Sequence, residues 1–169
     1  MAEEETISEQ LAQAIKTTLQ THLITYASGP ETKDITYHFV EEEIDSAKYP
    51  QVLIRDSGSQ MLVETMHGQN LGGVTEPGWA IQNYGFDLQV FLKGGLREET
   101  RAPMNRVRDG IKACLEVQHT LGEIAAEIQV KADEPTMTFS EESAWTRVGI
   151  VRAAVTAWSL QGATQLLGS

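Results

Sequence analysis

With one cysteine, Cys114, in 169 residues, the chain can form no internal disulfide. Cys114 falls on the apolar side of a helical pattern, where a free thiol acts as a small core hydrophobe. The four histidines, His22, His38, His67 and His119, are scattered singly, and none sits at a metal-ligand spacing such as His-x-x-x-His. His22 is placed to satisfy carbonyls at a helix end, and His38 is expected to face solvent from a strand. No Gly-x-Ser-x-Gly elbow accompanies Ser28, Ser57 or Ser59, which lie in turn-like sequence. The Gly-rich stretch 67–78 contains neither Gly-x-Gly-x-x-Gly nor a closing Gly-Lys-Ser/Thr. The acidic runs Glu41-Glu42-Glu43 and Glu141-Glu142 would work as catalytic acids only inside a cleft, and charge runs between strands are usually solvated. The expectation is a protein that is not an enzyme, with no catalytic, metal or cofactor-binding residues.

Long apolar runs are also missing. None approaches the roughly 18–20 residues of a membrane span. The start, Met-Ala-Glu-Glu-Glu, lacks the basic and apolar character of a targeting segment, so a soluble, intracellularly made protein is expected. Positive charge is scarce: 13 Lys and Arg face 24 Asp and Glu, a net charge of −11. Such a balance repels nucleic acid, because affinity for phosphates comes largely from cations that displace counterions. The charge is uneven. Residues 1–50 hold ten acids and three bases, whereas residues 94–112 hold five bases (Arg97, Arg101, Arg106, Arg108 and Lys112) and three acids. A mixed cluster of that kind on a helix is a solvated face, a pairing surface between subunits or a small phosphate-contacting patch.

What is present is a clear alternation of periods. Thr6 and Glu9 make a capping box ahead of Leu11, Ile15, Leu19 and Leu23, predicting a helix of about eighteen residues that ends before Ser28-Gly29-Pro30. Ile35, Tyr37 and Phe39 alternate as a short strand, followed by an exposed connector over 41–48. Tyr49-Pro50 returns the backbone to extended geometry ahead of the buried strand Val52-Leu53-Ile54. Asp56-Ser57-Gly58-Ser59 has turn chemistry, so Met61 to Met66 is expected to be the returning strand of a hairpin. The loop over 67–78 carries Leu71 and Val74, which can fold back or reach a partner, and Trp79 follows it directly as a core residue or a partner anchor.

Trp79 to Lys93 reads as a long strand kinked by a bulge at Gly85. Gly94-Gly95 breaks it, and a second helix runs from near Thr100 to Gln118 with Pro103 in its first turn. Gly110 inside that helix implies close packing against another backbone. A strand around Ile128 and Val130 precedes Pro135, and Trp145 to Gln161 forms a long last strand apolar on both faces. Such a strand is central in a covered sheet or buried against another subunit. A single domain over 1–169 is expected, with a flexible loop at about 67–78 and a short tail at 162–169. Its fold class is α+β, a mainly antiparallel sheet with two main helices packed on one face. A chain of this length buries roughly 70% of its unfolded surface and needs no staple.

This order of elements resembles the tail terminator (tail completion) proteins of long-tailed bacteriophages. The resemblance rests on the opening helix Ile7–Leu23, the Tyr49-Pro50-Gln51-Val52-Leu53-Ile54 segment, the Phe86-Asp87-Leu88-Gln89-Val90-Phe91 strand with its glycine break, the Arg106-Val107-Arg108-Asp109-Gly110-Ile111 helix and the paired closing strands. It implies a ring of copies, usually a hexamer, that stops growth of the tail tube and joins it to the head-side connector. The implied partners are the chain itself, the tail tube protein and a head-completion or neck protein, with DNA passing through unbound and no membrane. The implied location is the virion tail or neck, after assembly in the host cytoplasm. Within that expectation Arg97, Arg101, Arg106, Arg108, Leu71, Val74 and Trp79 are interface candidates, and Glu41, Glu42 and Glu43 are candidates for an acidic lumen. The alternatives are a head-side neck or stopper protein and a small-ligand-binding α+β module.

Overall fold

The computed structural model describes residues 6–28, 31–39, 49–64, 70–71, 74–75, 79–141 and 144–160. The first helix, α1 (Ile7–His22), opens on the expected capping box. The Glu9 N–H donates to the Thr6 hydroxyl at 3.2 Å, and the Thr6 N–H donates to Glu9 Oε2 at 2.7 Å. Ile7, Leu11, Ile15 and Leu19 are its buried stripe. The helix stops at His22, short of the expected end before Ser28, and Leu23 caps it through an N–H bond to the Leu19 carbonyl at 2.8 Å. Strand-favouring Thr25 and Tyr26 then enter an unanticipated antiparallel hairpin, β1 (Thr25–Ser28) with β2 (Glu31–Asp34).

The main sheet has six strands. β3 (Thr36–Phe39) runs parallel to β4 (Gln51–Glu64), and every other pairing in the sheet is antiparallel. A two-residue pair, β5 (Asn70–Leu71) with β6 (Val74–Thr75), stands apart from it, within the 67–78 stretch that reads as a plain loop in the sequence. β4 pairs with β7 (Trp79–Gly94), and β7 with the last strand, β10 (Ala144–Leu160). The far side of β10 is shared by β8 (Glu127–Lys131) and β9 (Met137–Glu141), which pair with successive stretches of it. The class is α+β, with two helices and a mostly antiparallel mixed sheet. The Tyr49–Pro50 peptide bond, at the entrance to β4, is cis.

The turn expected at Asp56-Ser57-Gly58-Ser59 does not reverse the chain. β4 continues through it, and the ladder to β7 slips between Asp56 and Gly58. The turn chemistry serves a bulge instead: Gly58 takes φ +112°, and its N–H donates to Asp56 Oδ1 at 2.8 Å. The bulge expected on β7 at Gly85 sits on the facing strand, with Gly58 opposite Gly85. A Cβ on Gly85 would lie 2.5 Å from Ser57 Oγ, so a side chain there requires the Ser57 hydroxyl to move. Asp56 also accepts a hydrogen bond from the Ser8 hydroxyl, tying the bulge to the first turn of α1.

Register puts the apolar strand residues on one face. Val52 and Gly149 flank Val90, Ile54 and Val151 flank Leu88, and Ala153 lies between Phe86 and Val130. Apart from Gly149, these residues belong to one buried cluster with the α1 stripe and with Met104, Val107, Ile111 and Leu115 of α2 (Arg101–Val117). A 3-10 turn over Glu98–Thr100 leads into α2. Gly110 meets a side chain in place of the expected backbone: a Cβ on it would lie 3.3 Å from Leu23 Cδ1. Cys114 is half-buried against the core, and burial pushes its thiol above the ordinary range. His38 is half-buried in β3, in place of the expected solvent-facing position. Tyr37 is buried and donates its hydroxyl to the Leu23 carbonyl at 2.7 Å, holding the α1 C-terminus to β3.

Two outcomes are expected from this packing. A Cβ on Gly149 would lie 2.7 Å from Met104 Sδ and 3.1 Å from Arg108 Cδ, so Gly149→Ala is expected to cost about 1–3 kcal/mol in urea unfolding. Tyr37→Phe leaves the Leu23 carbonyl unpaired, at a cost of about 1–3 kcal/mol. Burial, and secondarily Cys114, raise the Tyr37 phenol above its ordinary 10.0 in the folded state. The wild type therefore keeps that contribution below pH about 10 and loses it as pH rises further, whereas Tyr37→Phe lacks this alkaline decline.

Candidate interaction surfaces

The sharpest concentration of positive charge forms where β7 hands over to α2. Gly94 ends β7, and a Cβ there would lie 2.9 Å from Thr100 Cγ2, so the chain folds back tightly. The Leu96 N–H donates to Glu99 Oε2 at 3.1 Å, fixing the turn. Thr100 is only 2% exposed and its hydroxyl works in both directions. It donates to the Arg97 carbonyl at 2.7 Å and accepts from Arg147 Nε at 2.9 Å. Arg147 also donates from Nη1 to Thr136 Oγ1 at 2.6 Å and from Nη2 to the Arg97 carbonyl at 3.4 Å. Arg97 lies over the Trp145 ring at 5.9 Å, near the outer limit of a cation–π contact.

Arg108 comes up from α2, two turns further along. It is 7% exposed, packs along Gly149 and donates from Nη1 to the Glu134 carbonyl at 2.6 Å. Arg108 and Arg147 thus both fasten the short connector between β8 and β9. The buried Arg108 Nε has no hydrogen-bond acceptor. Arg97, Arg101 and Arg147 form no ion pair with any described carboxylate. Burial and then the neighbouring Arg97, Arg101 and Arg108 lower the proton affinity of Arg147 below the usual guanidinium range. The first turn of α2 itself holds no acid, and the acids nearest these cations in sequence, Glu98 and Glu99, lie in the 3-10 turn just before it.

Of the interface candidates, the structure brings Arg97, Arg101 and Arg108 together around Arg147 and leaves Arg106 exposed on a different side of α2. Arg147 is absent from the sequence-based candidates. Its signal was legible, since it is a cation at the same strand parity as the buried Val151, Ala153 and Val155. Leu71 and Val74 are backbone partners in the β5–β6 pair, and Trp79 opens β7 opposite Leu160. Glu41, Glu42 and Glu43, with the rest of the 41–48 connector and the 162–169 tail, lie outside the described residues.

Two further surfaces stand out. The sheet face opposite the core carries half-buried Leu53, Phe91, Val148 and Ile150, with Met137 62% and Phe139 46% exposed beside them. On that face Arg152 pairs with Asp87 at 3.8 Å and with Glu134 of the β8–β9 connector at 3.4 Å. A groove of about 470 Å³ runs between α1 and the α2–β8 connector, lined by Gln10, Gln13, Thr17 and Leu121 among others. The connector bordering it holds three successive positive φ values, at Leu121 (48°), Gly122 (76°) and Glu123 (74°). Among the described residues no group of three or more His, Cys, Asp or Glu could hold a metal, and no helix is long and apolar enough to cross a membrane.

Compared with known proteins, the chain matches no family model and no curated protein.

The Thr100 hydroxyl gives a direct test of how the cluster is held. Thr100→Val is expected to cost about 1–3 kcal/mol, because it strips Arg147 of an acceptor in a buried setting, whereas Thr100→Ser costs less than about 1 kcal/mol. Hydrogen exchange should show faster opening over residues 132–136 in Thr100→Val and an unchanged rate at the centre of β7.

Proposed function

We propose that this chain is a phage tail terminator: a structural protein whose copies close into a ring on the end of the tail tube and present that end to the head-side connector. The resemblance in element order supports this reading. So does one physical observation, the coexistence on one acidic chain of three neighbouring arginines, Arg97, Arg101 and Arg147, that form no ion pair with a described carboxylate, and a large carboxylate surplus. A closed ring needs two unlike patches on each subunit, because every contact in it is heterologous. A lumen lined by acidic subunits lets DNA slide through without sticking. On this reading the copies number six, the partners are the tube protein and a neck protein, the location is the virion, and no covalent chemistry is performed.

The experiment is assembly of tails with and without this chain. Tails of uncontrolled length in its absence are the expected result. Tails of normal length that merely fail to join heads would assign the chain to the neck instead. The groove beside α1 carries the competing reading, a small-ligand module. That reading requires a small molecule to raise the unfolding temperature and the Gln13→Ala change to abolish the shift.

A further inference from the structure

We infer that Arg97, Arg101 and Arg147 form a docking site for carboxylate side chains of a second copy of this chain. The inference rests on the ring reading and names the surface through which neighbours would meet. Three observations carry it. The Arg147 guanidinium is held by a built framework of the fully partnered Thr100 hydroxyl, the Arg97 carbonyl and Thr136, with Arg97 over the Trp145 ring and Arg101 opening α2 next to Thr100. Beside it the 7%-exposed Arg108 brings a fourth guanidinium whose Nε has no acceptor. No described carboxylate lies within ion-pair distance of Arg97, Arg101 or Arg147, although the chain holds 24 Asp and Glu.

Like charges held together without a counter-ion destabilise the isolated subunit, and a planar anion accepting forked N–H donors relieves that repulsion. The source of the anion follows from the overall charge. A chain at −11 resists the approach of a polyphosphate, while its own surplus of acids, −7 over residues 1–50, is present wherever a second copy is. Carboxylate–guanidinium pairing across such a contact also fixes register, because a like-charged misalignment is penalised. Arg106, on another side of α2, lies outside this site.

The test uses the full chain. Sedimentation should show self-association that weakens with salt and falls at least about tenfold in the double variant Arg97→Gln/Arg101→Gln, while Arg106→Gln leaves it unchanged. In a second arm Arg101→Lys keeps the charge and supplies an amine for carbodiimide coupling. Mixed light and heavy-isotope chains are then expected to yield a link from position 101 to a carboxylate within residues 1–50 of another copy. Coupling confined to the same chain, association indifferent to the double variant, or no association at all would overturn the inference. So would a thermal shift by inorganic phosphate that the double variant loses, which would make phosphate the anion. Tails that are still length-controlled by a chain whose association ignores these arginines would sink the docking site and spare the ring reading; uncontrolled length unaffected by a chain that does associate through them would do the reverse.

Discussion

The pairing of β7 with β10 is the constraint on which the rest of the fold depends. The two strands run antiparallel in unbroken register from Trp145 opposite Gly94 to Leu160 opposite Trp79. β4 and β10's edge partners attach to one or the other, and β3 follows through β4. Inward residues of the pair supply much of the buried cluster that both helices join, and because side chains alternate along a strand, a slip of one residue would turn that apolar set outward. The interior is therefore specified by one long ladder, with β4 bent against it at the Asp56–Gly58 bulge and β8 and β9 dividing its far edge.

That ladder also explains where charge collects. Arg147 occupies an inward position two residues before Gly149, at the end of the core and not within it. Gly149 leaves space for the Arg108 stem to cross the sheet, and Gly94 lets the chain fold back so that Thr100 meets Arg147. Glycines at these two close approaches thus convert an ordinary strand end into a gathered cationic surface. The opposite sheet face, apolar at Leu53, Phe91, Val148 and Ile150, is the second surface the molecule offers outward.

Much of this was legible in the chain because the periods are clean. The capping box, the alternation at Ile128 and Val130, and the inward set Val151, Ala153, Val155 and Ala157 are all found as expected. What escaped was set by tertiary pairing. Asp-Ser-Gly-Ser is the same local chemistry whether it reverses a strand or bulges one, and only the presence of β7 alongside decides between them. β9 alternates Met137 and Phe139 with polar residues, but both apolar side chains are exposed, so it leaves no burial pattern to separate it from a connector. The arginine cluster was half visible: Arg97, Arg101 and Arg108 lie close in sequence, whereas Arg147 joins them only because β10 returns beside the helix start.

A molecule with shaped, charged surfaces and a core specified by one ladder is suited to being a building block. On the proposed reading its role is a matter of position within a particle, which electron cryomicroscopy of intact tails measures most directly. The expected density is a closed ring of copies of this chain between the last tube layer and the head-side connector, with the α2 N-terminus turned toward a neighbouring copy. Finished particles that lack the chain, or hold it as a solitary subunit away from the tube end, would contradict that role.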